Sequence, residues 1–292
     1  MDTAAEAQLH GLKILHLVRH AQGTHNVAAE ENRDELMSHD LLDAPLSCLG
    51  RQQVCDLRKD VHERGLFQRI ELVITSPMTR TLQTAVGVFG RKNLANELDD
   101  EQSTLDIDKT QSAISSTLNC IPILAVELCR EKLGVQPCNK RRSISNYKSL
   151  FQAVDFSLIE SEDDNLWTAD YRESNEEVAA RGIKFLKWLW TRKEREIAVV
   201  SHGIFLQQTL MALGAKSYTP MPNDLLQRFR NCELRSISMS VTIVDEGMMG
   251  LDSVLMGKHC ARVVYRVQLL NGAVKENDSE MENNKCPTVL SC

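Results

Sequence analysis

The sequence predicts an α/β fold, a three-layer αβα sandwich around a mostly parallel central sheet. Two observations predict it. Short β-rich runs alternate along the chain with amphipathic stretches of helical period, and this alternation is typical of a parallel sheet covered by helices on both faces. Capping and turn residues then mark the ends of several predicted helices.

The first half of the chain predicts two strands, each followed by a helix. A β-rich run at 13–20 is the first strand, and a loop is expected over 23–47. The helix that follows ends at Gly65. A second strand at 71–76 leads into a helix that Ser76 caps and Pro77 opens. The apolar residues of the first helix recur at helical spacing, at Leu49, Val54, Leu57 and Val61.

The second half continues the pattern. Runs at 121–127 and 196–203 predict two more buried strands, and Ser174 with Glu177 forms a capping box before an amphipathic helix. Another helix is expected after the last of these strands. Two β-branched stretches near the end, SISMSVTIVD and ARVVYRVQLL, predict further strands that pair as a hairpin.

We expect residues 1–270 to form a single domain. A polar, acidic insertion without clear periodicity covers about 91–119. A variable segment is expected at about 132–173, and residues 271–292 are expected to be a disordered tail.

Composition excludes several classes of protein. The 292-residue chain has a net charge of −6 and a pI near 5.8, which argues against a nucleic-acid-binding surface. It has no apolar run of the roughly 18 residues that cross a bilayer, and its first residues lack a signal-peptide pattern. The nine cysteines form no CxxC pair, so mostly reduced thiols and a cytoplasmic location are expected.

Chemically capable residues follow four of the predicted strands. They are Arg19 with His20, Ser76 with Arg80 just beyond, Glu127, and His202. Each of them alone has an ordinary structural explanation, such as a surface cation or a turn histidine. Because ligands of open α/β sheets bind at the carboxyl ends of the strands, their recurrence at four strand ends predicts one site.

Five stretches together resemble the histidine phosphatase superfamily, whose members include cofactor-dependent phosphoglycerate mutases and many phosphatases. In chain order they are LVRHAQGTHN at 17–26, PLSCLG at 45–50, TSPMTRTLQTA at 75–85, VELCRE at 126–131 and VVSHG at 199–203. The sequence around ELCREKLGVQPCNKRRSI looks most like that of the plant phosphoglycerate mutase-like proteins. Ala21 stands where the family pattern has glycine, which removes no catalytic group.

The chemistry of these side chains fits phosphoryl transfer. Guanidinium groups match phosphoryl oxygens and keep their charge, so Arg19 and Arg80 are predicted to bind the phosphoryl group. His20 is the predicted nucleophile, forming a phosphohistidine. His202 is predicted to donate to the charged transition state.

Two further residues complete the predicted site. Glu127 is the predicted general acid, which would then activate water in the second step. Asn26 is predicted to hydrogen-bond a phosphoryl oxygen, in agreement with the resemblance.

Arg141 and Arg142 belong to a basic stretch, KRRSISNYK, in an otherwise acidic protein. They either form a solvated loop face or rim the pocket and select a second anionic group of the substrate.

Other catalytic centres are less well supported by the sequence. HCARVVYR at 259–266 has the outline of a tyrosine-phosphatase loop, but its β-branched residues favour a strand. His16 lies on the same predicted strand as His20, and His25, His39 and His62 lack companion ligands. No metal and no cofactor are therefore expected.

The sequence favours a phosphomonoester phosphatase that acts on a small phosphorylated substrate. A phosphoglycerate mutase is the alternative, although CREKLGV replaces the tyrosine- and glycine-bearing segment of classical mutases. A noncatalytic phospholigand-binding module is a third hypothesis. The resemblance alone implies a role in carbohydrate metabolism.

Overall fold

The computed structural model describes residues 8–90, 120–217, 220–245 and 261–270. The predicted insertion at 91–119 and the predicted tail at 271–292 lie outside the described residues. Within the described ranges, seven strands form one sheet, and they are β1 Gln8–Arg19, β2 Leu72–Thr75, β3 Ile123–Ala125, β4 Val154–Asp155, β5 Glu196–Ser201, β6 Leu234–Asp245 and β7 Ala261–Leu269. The helices of the same ranges are α1 Thr24–Glu31, α2 Cys48–Glu63, α3 Thr79–Phe89, α4 Ile144–Leu150, α5 Asn175–Trp190, α6 Gly203–Gly214 and α7 Asn223–Leu226.

The sheet confirms the predicted α/β class. Its strand order is β4-β3-β2-β5-β1-β6-β7. The strands from β4 to β1 in that order are parallel to their neighbours, whereas β6 and β7 add an antiparallel edge. The two β-branched stretches near the end of the sequence are therefore neighbours, as predicted, with Ile237 opposite Leu269.

Helices cover both faces of the sheet, which accounts for the nearly continuous apolar strands. Successive strand residues point to opposite faces, so Leu17 packs in the core under α5 and α6, and Val18 packs in the core under α2 and α3. In β5, Val199 likewise packs in the core under α5 and α6, and Ala198 packs in the core under α2 and α3. Burial on both faces is what holds the central strands in place.

The parallel register sets the carboxyl ends of the strands in line. Arg19, the last residue of β1, pairs with Ser201, the last residue of β5. Thr75 at the end of β2 pairs with both Val200 and Ala125. The residues that follow β1, β2, β3 and β5 therefore emerge at one edge of the sheet.

The predicted loop at 23–47 is wrong in part, because it contains α1 and two 3₁₀ turns, Arg33–Met37 and His39–Leu41. Helix α1 has no apolar stripe for sequence reasoning to detect, since its only buried residue is His25. A local hydrogen bond starts it instead, from the backbone N–H of Gly23 to the side-chain oxygen of Asn26, at 3.0 Å.

No helix in the described part of the chain is long and apolar enough to cross a membrane. Cys129, Cys138 and Cys232 carry free thiols, whereas Cys55 is disulfide-bonded.

Candidate active site

His20 follows β1 directly and has a fixed tautomer. Its backbone N–H donates to the carbonyl of Ser201 at 2.9 Å, which holds it beside the end of β5. Nδ1 of the ring lies 2.7 Å from the carbonyl oxygen of Ala21. Because a carbonyl only accepts, Nδ1 carries the hydrogen and Nε2 keeps its lone pair. Ala21 itself takes the place of the family's glycine without a positive φ.

His20 is also held in its neutral form. The side chain is 2 % exposed, and burial, followed by the charges of Arg80 and Arg19, places the pKa of His20 well below its usual value. A neutral imidazole with its lone pair on Nε2 is the state that a nucleophilic histidine needs.

His202 follows β5 and lies against His20. The ring centroids are 5.2 Å apart, and the ring planes meet at 64°. Nε2 of His202 lies 2.8 Å from the hydroxyl oxygen of Ser76, the residue after β2. Burial, followed by the charge of Arg80, lowers the pKa of His202 well below its usual value. A bound phosphoryl dianion would favour its protonated form.

Arg80 lies in the first turn of α3 and is completely buried. Its Nη1 donates to the carbonyl of Cys138 at 2.7 Å, and its Nη2 donates to the side-chain oxygen of Asn139 at 2.9 Å. Its Nε is buried without a hydrogen-bond partner among the described residues. A buried guanidinium with an unused donor is suited to an anionic ligand.

Arg19 ends β1 and presents a second guanidinium. Nη1 donates to the carbonyl of Phe229 at 2.8 Å, while Nε is buried and, within the described part of the chain, has no partner. Burial, followed by the charge of Arg228, lowers the pKa of Arg19 to about 10. The group is still charged at neutral pH, so the pocket carries two fixed cations.

Asn26 reaches the same region from α1. Its side-chain oxygen accepts from the backbone N–H of Gly23 at 3.0 Å and from the side-chain nitrogen of Asn231 at 3.2 Å. Asn231 also donates to the carbonyl of His20 at 3.3 Å. With its oxygen occupied in this way, Asn26 keeps its amide N–H groups for another acceptor, as the predicted phosphate contact requires.

Glu127 lies in a 3₁₀ turn after β3. Each of its carboxylate oxygens faces a guanidinium, with Arg141 Nε at 2.7 Å and Arg130 Nη1 at 3.0 Å. Arg130 in turn pairs with the buried carboxylate of Asp164 at 2.6 Å. This arrangement gives Glu127 a structural role in joining the segments around it, and does not support the predicted role of general acid.

Glu131 is the acidic residue that sequence reasoning missed. Its carboxylate accepts from the backbone N–H groups of Phe205 at 3.2 Å and Ile204 at 3.3 Å, in the first turn of α6. These residues come two and three positions after His202, and the charge of Glu131 also acts on Arg19. The sequence did contain a signal that could have identified this residue: VELCRE has a second glutamate, which also follows β3 closely.

Arg141 does not rim the pocket. The residue is 3 % exposed. Besides its bond to Glu127, its guanidinium donates at 2.8 Å to three carbonyls, those of Ser161, Glu162 and Asp163. With its donors occupied in this way, it cannot select a second anionic group. Arg141 therefore joins its loop to the backbone at 161–163, and this structural role replaces the predicted role in substrate specificity.

Arg142 is the more exposed member of the predicted pair, at 48 % of its side-chain surface. Its Nε lies 3.5 Å from the buried carboxylate of Asp43. Asp43 also accepts from the backbone N–H of Thr79 at 2.9 Å, at the start of α3, and from the hydroxyl of Tyr147 at 2.8 Å. Arg142 thus contacts the network that holds the helix of Arg80.

The rival sites have ordinary explanations in the described residues. Residues 261–266 of the HCARVVYR stretch lie in β7, as the β-branched residues predict, and Cys260 lies outside the described ranges. Nδ1 of His16 lies 2.7 Å from the hydroxyl of Ser236 and Nε2 lies 3.0 Å from Glu196. Across the described ranges, no group of three or more His, Cys, Asp or Glu residues is placed to hold a metal ion.

Comparison with known proteins supplies the family. Residues 15–111 match the model of the histidine phosphatase superfamily (branch 1). Over 246 residues the chain is 54% identical to phosphoglycerate mutase-like protein 1 of Arabidopsis thaliana, covering 84% of this chain and 86% of that protein. A second Arabidopsis thaliana phosphoglycerate mutase-like protein is 49% identical, covering 84% of this chain and 89% of that protein.

Among solved structures, one described as mycobacterial hydrolase 1 is 18% identical with a TM-score of 0.49, covering 90% of this chain and 100% of that chain. The sequence relatives carry the assignment, since their identity extends over most of both chains. The chain therefore belongs to the histidine phosphatase superfamily, among its phosphoglycerate mutase-like proteins.

Proposed function

We propose that the protein hydrolyses phosphate monoesters through a phosphohistidine on His20. One observation carries the proposal: the hydrogen bond from Nδ1 of His20 to the carbonyl of Ala21, at 2.7 Å, leaves the lone pair on Nε2. The ring is neutral, buried, and close to Arg19, Arg80 and His202. A nucleophile with its lone pair directed into a cationic pocket is what attack on a phosphoryl dianion requires.

The first step transfers the phosphoryl group to the protein. The Nε2 lone pair of His20 forms the bond to phosphorus, while the bond from phosphorus to the ester oxygen breaks and its electron pair goes to that oxygen. Arg19, Arg80 and Asn26 bind the phosphoryl oxygens, and protonated His202 donates to the same charge as it develops. Glu131 acts in its protonated form and gives that proton to the departing oxygen.

The second step releases phosphate. Glu131, now a carboxylate, takes a proton from water as the water oxygen bonds to phosphorus. The bond from phosphorus to Nε2 breaks, and its electron pair returns to His20. Each residue then holds the proton it had at the start, so the cycle needs no further reactant.

We assign proton transfer to Glu131 because of its position. It lies against the residues that follow His202, and its charge acts on Arg19. Glu127, by contrast, has both oxygens facing guanidinium groups at 2.7 and 3.0 Å. The proposed substrate is a small phosphorylated compound, and the proposed setting is the cytoplasm, with a role in carbohydrate metabolism that only the family resemblance implies.

A mutase is the second candidate, because the sequence relatives are named phosphoglycerate mutase-like. A mutase would use the same first step but return the phosphoryl group to an organic hydroxyl instead of water. Assays with 3-phosphoglycerate, with and without a bisphosphate primer, separate the two activities.

The proposal is tested with the pure protein and 4-nitrophenyl phosphate. We expect metal-independent release of phosphate by the wild type, and a phosphorylated protein that is labile to acid when the reaction is quenched. His20→Ala should fold normally and lose both signals. A wild type that binds phosphate but turns over no monoester would instead support the noncatalytic module, and an active His20→Ala variant would remove His20 as the nucleophile.

A further inference from the structure

His25 lies beside the nucleophile in a position that the mechanism above does not use. Its ring centroid is 5.6 Å from that of His20, with the ring planes at 47°. It comes one residue before Asn26 in α1. The sequence offered no companion ligands for a metal at His25, and in the structure the rings of His25 and His202 both lie beside that of His20.

The burial of His25 is unusual for a helix at the protein surface. Surface helices ordinarily bury an apolar face, yet α1 leaves Val27 37 % exposed and buries only His25, which is 7 % exposed. The side chain that this helix buries is therefore a polar ring and not an apolar group.

Gly23 makes the space for this ring. A Cβ atom at residue 23 would lie 2.6 Å from Nδ1 of His25 and 2.7 Å from its Cε1. Nδ1 is thus packed against the backbone of Gly23, and it is buried without a hydrogen-bond partner in the part of the chain that the structure describes. Any side chain at residue 23 would displace the imidazole.

The surroundings of Nδ1 fix the state of the ring. A buried N–H without an acceptor is more costly than a buried lone pair, and such donors are rare in folded proteins. The hydrogen of neutral His25 therefore resides on Nε2, the nitrogen that is not packed against Gly23. Burial, followed by the charges of Arg80 and Arg19, lowers the pKa of His25 well below its usual value, so the ring is neutral.

We propose that His25 contacts the substrate directly, with its Nε2–H donating a hydrogen bond to an oxygen of the phosphoryl group on the face next to His20. The proposal rests on the phosphatase function stated above. In it, two imidazoles flank the transferred group, His202 in its protonated form and His25 as a neutral donor. The ligand chemistry is that of a tetrahedral oxyanion, so inorganic phosphate and orthovanadate are probes of the same contact.

Replacing His25 by asparagine and by glutamine distinguishes this role from simple packing. The amide nitrogen of glutamine can replace a histidine Nε2, whereas that of asparagine falls closer to the position of Nδ1. We expect His25→Asn to lower kcat/KM for 4-nitrophenyl phosphate by about 100-fold, the loss typical of one missing donor in an oxyanion site. His25→Gln should recover at least tenfold of that loss. His39→Asn and His39→Gln, at an exposed histidine, are the matched controls.

Two measurements accompany the kinetics. Binding of inorganic phosphate by titration calorimetry reads the contact without turnover, and thermal unfolding shows whether each variant is folded. Weaker phosphate binding by the asparagine variant, restored by glutamine, supports the proposal even if the wild type turns over no monoester, which would defeat only the proposed function. Equal activity and phosphate affinity in the two variants, with the wild type active, would overturn the role of His25.

Discussion

The guanidinium of Arg80 lies 3.4 Å from Nδ1 of His202. Arginine can only donate, so Nδ1 accepts this contact and the hydrogen of the neutral ring resides on Nε2, directed to Ser76. A bound phosphoryl dianion would change this relationship. Both groups would then face the same anion, and His202 would take up a proton on Nδ1.

Replacing Arg80 by lysine should therefore lower activity even though the charge is kept. Lysine lacks the forked guanidinium with which Arg80 contacts Cys138, Asn139 and His202. We expect kcat/KM for 4-nitrophenyl phosphate to fall by about 100-fold or more. Arg58→Lys, on α2, is the matched control because the described contacts of Arg58 are to backbone carbonyls near the end of α3. An Arg80→Lys variant with the activity of this control would exclude Arg80 from phosphate binding.

Substrates with different leaving groups can show whether Glu131 or Glu127 is the general acid. An alkyl phosphate needs a proton on its departing oxygen, whereas 4-nitrophenolate leaves without one. We expect Glu131→Gln to lower kcat by about 100- to 10,000-fold on an alkyl phosphate and far less on 4-nitrophenyl phosphate. Glu127→Gln should affect the two substrates equally and lower the melting temperature, because it weakens the pairs with Arg130 and Arg141. The opposite pattern would restore Glu127 as the acid.

Acid should destabilise the protein. The pKa values of His16, His20, His25 and His202 are all lowered by burial in the folded state. Between these folded values and the unfolded value near 6.5, the unfolded chain binds more protons, so stability falls as pH decreases below about 6.5. Each histidine contributes at most about 1.4 kcal/mol per pH unit. Urea unfolding at pH 7.5, 6.5 and 5.5 measures the slope, and a free energy of unfolding independent of pH would contradict buried neutral histidines.

Asp43 should be important for stability and for the position of Arg80. It is fully buried and accepts from the backbone N–H and hydroxyl of Thr79 and from the hydroxyl of Tyr147. Asp43→Ala would leave these donors unpaired, and we expect a loss of about 3 kcal/mol in the free energy of unfolding. Tyr147→Phe, which removes one of the contacts, should cost less. Denaturant titration tests this ranking, and a stable Asp43→Ala variant would contradict it.

The sequence anticipated much of the candidate site because fold and chemistry point to the same positions. Apolar runs identified the strands, and parallel strands bring the residues after them to one edge of the sheet. His20, Arg80 and His202 were found in that way. Glu127 was predicted because it stands at the end of the strand, and Glu131 was missed; the chain turns there and directs Glu127 toward Arg130 and Arg141.

By itself, the sequence determined the main strands, the helices α2, α3, α5 and α6, the fold class and the residue types that meet at the sheet edge, since these depend on periodicity and on local chemistry. Only the tertiary structure decided which nitrogen of His20 carries the hydrogen, that Arg141 is occupied by its own segment, and that His25 packs on Gly23. The reason is physical. Hydrogen-bond partners, burial and charge at a side chain come from segments that are distant along the chain, and no local pattern records them.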